Sequence, residues 1–179
     1  MKYKILALFL LVFFFAPIVK AVPPMIKFGP TNYVLAYAAS DGGDALNEYI
    51  LPGQTLDNWT RMVAVRSFGN NHMTAEQAAR SMIKELYARN PEAKINVYGG
   101  ERENEFTIDF YMYTPHMKII EFNVFRFIER GDMMFSLQFA LRIYDNPKLA
   151  KKLLQNPAMY AVMTDMAELP KIYHESALR

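Results

Sequence analysis

The chain has no cysteine. This excludes a disulfide scaffold, a cysteine-based zinc site and a thiol nucleophile. It also leaves no residue for a bacterial lipoprotein anchor. Histidine is scarce: His72, His116 and His174 are the only three. None stands four residues from another and none belongs to a His-Glu-x-x-His pattern, so the helical zinc signature is missing. Long hydrophobic runs are equally scarce. The one prominent stretch, Ile5 to Val19, spans 15 residues and is interrupted only by Pro17. A membrane-spanning helix needs about 20 apolar residues.

Surplus charge of one sign is also lacking. The 20 basic and 18 acidic residues give a net charge of +2 and an alkaline pI of about 8.7. Lys2 and Lys4 precede the apolar run, and Val19-Lys20-Ala21 closes it with small residues at the positions a signal peptidase reads. Residues 1–21 are therefore expected to be a secretory signal peptide, with an uncleaved inner-membrane anchor as the alternative. That segment holds three lysines and no acid, which leaves 17 basic and 18 acidic residues, a net of −1. The densest basic cluster, Lys148, Lys151 and Lys152, falls on a predicted helix and reads as a solvated face. No nucleic-acid partner is expected.

What remains is apolar and aromatic. A content of 52% hydrophobic and 14% aromatic residues excludes a disordered chain, and residues 22–179 suit a single domain. Val22 to Pro30 is an extended, proline-bearing lead-in. Asn32–Ser40 and Ala45–Leu51 read as strands joined by the Asp41-Gly42-Gly43-Asp44 turn. Thr55–Trp59 reads as one helical turn capped by Thr55, and Arg61–Phe68 as the next strand. Thr74-Ala-Glu-Gln77 is a capping box opening a helix to Arg89, with Ala75, Ala78, Ala79, Met82, Ile83, Leu86 and Tyr87 on one stripe. Lys94–Tyr98, Glu105–Thr114, Lys118–Glu129 and Met133–Tyr144 alternate in hydropathy, and the last three form an antiparallel meander. Helical pieces are expected over Lys148–Gln155 and Ala158–Glu168.

Chemistry-bearing patterns are weak. Ser81-Met82-Ile83-Lys84 matches a Ser-x-x-Lys motif without its companion motifs, and it lies inside a helix. Asp41, Asp44 and Glu48 lack the spacing of a calcium loop. Glu101, Glu103 and Glu105 read as a solvated face. Met159, Met163 and Met166 share a stripe flanked by Ala158, Val162 and Leu169, which is a core-facing pattern. No catalytic residue, cofactor or metal is expected.

The most distinctive segment is Glu48-Tyr-Ile-Leu-Pro-Gly-Gln-Thr-Leu-Asp-Asn-Trp-Thr60, with Trp59 and Leu56 as candidate anchors. This connection, with the amphipathic helix, the meander and the C-terminal helical part, resembles the PsbP-like (Mog-type) family, nearest to its DcrB-like exported bacterial members. The resemblance implies an α+β fold, an antiparallel β-sheet sandwiched by helices (α/β/α sandwich). It also implies a non-catalytic binding, assembly or chaperone-like role. The expectation is an exported domain, periplasmic or secreted, that binds a protein partner in the cell envelope. Trp59, Tyr111, Tyr113, Phe125 and Phe127 are its candidate binding surface. Two alternatives remain open: a carrier of a small apolar ligand between sheet and C-terminal helices, and a hydrolase built on His72 or His116.

Overall fold

The structure is a computed structural model that describes residues 24–69, 73–99, 104–114, 116, 118–146, 148–149 and 152. The expected leader (1–21) and the helical piece over 158–168 lie outside the described residues, as do His72, His174, Glu101, Glu103 and the Met159–Met166 stripe. Of the piece over 148–155, Lys148, Leu149 and Lys152 are described, and all three are helical.

Two four-stranded meanders form one sheet. The first holds β1 (Met25–Phe28), β2 (Thr31–Asp41), β3 (Asp44–Ile50) and β4 (Arg61–Phe68). After α1 (Ala75–Arg89), the second holds β5 (Ile95–Gly99), β6 (Glu105–Tyr113), β7 (Ile119–Arg130) and β8 (Met133–Tyr144). Every pairing is antiparallel, and β4 joins β8 at the centre to give the order β1-β2-β3-β4-β8-β7-β6-β5.

Local chemistry explains the turns. Gly42 and Gly43 take φ of 56° and 100° between β2 and β3, the left-handed pair a two-residue hairpin requires. Gly69, just after β4, approaches this turn closely, and its N–H donates to Asp44 Oδ1 at 3.0 Å. Helix α1 opens on the capping box read from the sequence: Gln77 N–H donates to Thr74 Oγ1 at 3.1 Å, and Thr74 N–H to Gln77 Oε1 at 2.9 Å. Glu129 on β7 accepts the Ala75 N–H at 2.7 Å. This ties the electropositive helix start to the sheet.

The period-two side-chain pattern assigns the faces. Phe68, Phe106, Ile108, Phe110, Phe125, Phe127 and Met134 share one face, where Ala75, Ala78 and Ala79 of α1 are buried against them. Tyr49, Val63, Val65, Phe122, Val124, Leu137 and Phe139 share the opposite face. Its cover comes from Ile26 and Phe28 of β1 and Tyr33 of β2. The Phe28 and Phe139 ring centroids lie 5.5 Å apart. Four strand spacings separate β1 from β8, about 19 Å in a flat sheet. The sheet must therefore curl until its first strand reaches over its centre. A bulge at Ala36 marks the end of the curled part of β2, where the register slips between Leu35 and Tyr37.

The expected α/β/α sandwich is thereby corrected. Among the described residues there is one eight-stranded antiparallel sheet and one complete helix, and that helix lies on one face. Among the described residues, the second face is buried by the curl of the sheet itself.

Candidate functional site

The candidate residues are divided by the fold. Phe125 and Phe127 are buried beneath α1, their rings stacked at 6.2 Å. Tyr111 and Tyr113 point from the opposite face. Tyr111 is half-buried with its ring centroid 5.1 Å from that of Phe122, and Tyr113 is 58% exposed. Alternation explains the separation: Phe125 lies opposite Ile108 and Tyr111 opposite Phe122 in the β6–β7 register, and the two pairs have opposite parity. The four aromatics form no common surface, and Tyr113 alone among them is open to a partner.

Trp59 is buried with Ile50, Met62 and Ala140, so the connector anchors the chain as its sequence suggested. Leu56 does not share this role and is exposed. The predicted turn is held by Asn58, whose Oδ1 accepts the Thr55 N–H at 2.8 Å. Gln54 and Thr60 close the connector with two bonds of 2.8 Å. Two contacts dock it on β8: Arg142 N–H donates to Thr60 O at 2.8 Å, and Tyr144 OH to Trp59 O at 3.0 Å.

Behind Trp59 runs a polar chain that sequence reading missed. The Arg142 guanidinium sits 3.9 Å from the Trp59 ring centroid and pairs with Glu121 at 2.7 Å. Glu121 also accepts from Asn123 Nδ2 at 3.1 Å, and Asn123 Oδ1 from Gln138 Nε2 at 2.8 Å. Burial opposes the Arg142 charge, but hydrogen bonds and charge from Glu121 and Tyr144 outweigh it and raise its pKa above the ordinary arginine value. The available signal was positional: Glu121 and Asn123 share a strand face with Phe125 and Phe127, and Gln138 and Arg142 share one on β8.

A second polar group lies on the opposite face near β5. Arg126 pairs with Glu105, and Asp109 accepts from Asn96 Nδ2 and from Tyr98 OH, each at 2.8 Å. Burial, and then the Asp109 charge, push the Tyr111 hydroxyl above its ordinary pKa.

The remaining candidates stand apart. His116 is exposed with φ of 62°, and Ser81 and Lys84 are exposed on α1. Asp41 and Asp44 face each other across the hairpin turn. Among the described residues, no group of three or more His, Cys, Asp or Glu is placed to hold a metal. Among them, too, no helix is long and apolar enough to cross a membrane.

Exposed large apolar side chains have a definite distribution on the sheet. Met25 on β1 and Tyr37 on β2 mark one flank; Val97 on β5 with Met112 and Tyr113 on β6 mark the other. Strands β3, β4 and β7 carry none, and β8 carries only Met133 at its first position.

A protein-family model matches residues 20–172, which include the whole sheet and α1. The chain belongs to that family. The match carries no description of an activity. No curated protein matches the chain.

Proposed function

We propose that this family member is an exported, non-catalytic domain that binds a protein partner in the bacterial cell envelope. The observation that carries the reading is the placement of exposed apolar side chains at the two flanks of the sheet, where, among the described residues, no further strand is paired. A sheet flank is where main-chain groups and side chains together can recognise another polypeptide. The sheet's interior charges support the non-catalytic half of the reading. Glu121 pairs with Arg142 and Glu105 with Arg126, and Asp109 holds two neutral donors. The N-terminal layout of Lys2, Lys4 and the apolar run supports export.

The test is affinity purification of the chain from its native envelope after cross-linking. Recovery of a specific envelope protein, reduced when Val97, Met112 and Tyr113 or Met25 and Tyr37 are replaced by serine, is the expected result. Recovery of no specific protein would overturn the reading.

A further inference from the structure

We infer that the outer edge of β2 from Ala36 to Asp41 is a strand-addition site for an extended, Lys/Arg-bearing segment of another protein. The inference rests on the partner-binding reading above and names where and how the partner binds.

Strand β2 has 11 residues and its outer neighbour β1 has four. The β1 ladder covers Thr31 to Val34, and Pro24 O accepts the Leu35 N–H at 2.9 Å. Beyond Leu35, β2 has β3 on its inner side and, among the described residues, no strand on its outer side. At that last pairing Pro24 acts as an acceptor alone, because proline has no N–H to return to β2.

The open stretch is regular. Tyr37 to Asp41 pair with Glu48 to Asp44 without a break, and the bulge lies just before them. Five residues present about 17 Å of edge, the length of an ordinary strand. All five are exposed. Natural edges are blunted by charge, proline or shortness. The first strand shows such devices: β1 is four residues long with Lys27 in it and prolines on both sides. Tyr37-Ala-Ala-Ser40 has no proline and no charge. The small side chains of Ala38, Ala39 and Ser40 leave space over the strand for the larger side chains of an incoming one.

Charge selects the occupant. Strands β2 and β3 carry Asp41, Asp44 and Glu48 and no Lys or Arg. A basic strand complements them, whereas a second copy of this edge brings the same acids. Edge charges of this kind chiefly set partner choice and rate of association.

The test places a photo-reactive phenylalanine analogue at Tyr37 or Ser40, and separately at Val97 or Tyr113, in the full-length protein expressed in its own host. Adducts are mapped by mass spectrometry. The expected result is an adduct at Tyr37 and Ser40 to one protein. Its cross-linked segment should contain Lys or Arg, and the yield should fall about tenfold in Asp41→Lys, a loss of about 1.4 kcal/mol in binding. Asp41 is exposed at the turn, so thermal unfolding of Asp41→Lys should match wild type; Ser40→Lys is the second variant should it not. Adducts confined to Val97 or Tyr113 would overturn this site and leave the partner-binding reading standing. An adduct at Tyr37 to a second copy of the chain, or to a segment without basic residues, would also overturn it. Specific adducts at neither flank would overturn both.

Discussion

Single atoms decide several contacts in this fold. A Cβ added at Gly69 would meet Gly43 O at 2.6 Å, and that atom is backbone and has no side-chain freedom to yield. Gly69→Ala should cost about 1–3 kcal/mol, read as a lower midpoint in urea unfolding. Thr74→Ala removes the acceptor for Gln77 N–H and should cost about 1 kcal/mol in the same assay. Glu121→Gln leaves the Arg142 charge without its carboxylate and should cost about 1.5–3 kcal/mol. Trp59 is the only tryptophan, so its fluorescence reports directly on the displaced guanidinium. Tyr33 gives a pH prediction. Burial raises its pKa above 10.0, partly countered by Arg61. The unfolded chain loses that proton near 10.0 while the folded chain keeps it, so its contribution is full below 10.0 and lost as pH rises through the folded value. Chemical unfolding at a series of alkaline pH values should show stability falling above 10.0, less steeply in Tyr33→Phe.

At the scale of elements, β1 is the least expected and among the most consequential. Its four residues between prolines give no alternation long enough to read as a strand, so the sequence marks the lead-in only as extended. In the fold it places Ile26 and Phe28 over the centre of the sheet. Phe28→Ala should cost about 3–5 kcal/mol, because it removes a ring from a closed cluster and leaves a cavity against Phe139. Lys27→Ala on the exposed side of the same strand should change stability by less than about 0.5 kcal/mol. Urea unfolding of the two variants side by side checks the curl directly. Helix α1, by contrast, was readable from residue 74 onward. Capping box, stripe and Pro91 stop all agree with the structure, except that Tyr87 at the edge of the stripe is exposed. The long strands were equally readable, since β4 and β8 match their sequence bounds and the others differ by a residue or a few at their ends.

At the scale of the molecule, two features matter: export and the way the two faces are covered. A cleaved leader predicts that the protein recovered from the envelope begins at Val22, measurable by intact mass; a chain retaining Met1 would instead support the uncleaved anchor. The covering of the faces was not legible in advance. Both faces of β6, β7 and β8 carry apolar residues, so alternation separates Phe125 from Tyr111 but gives neither face a partner. That is why the sequence leaves Phe125 and Phe127 available for a surface, whereas in the fold they lie under α1. The sequence by itself determined the strands other than β1, their faces, the β2–β3 and β7–β8 turns and the helix cap, because each depends on φ preference or side-chain period within a few residues. Only the tertiary structure decided that the sheet curls over its own centre, that Glu121, Arg142 and Trp59 meet, and that β2 outruns β1. Those outcomes depend on contacts between residues distant in the chain, set by sheet curvature and strand length rather than by local pattern.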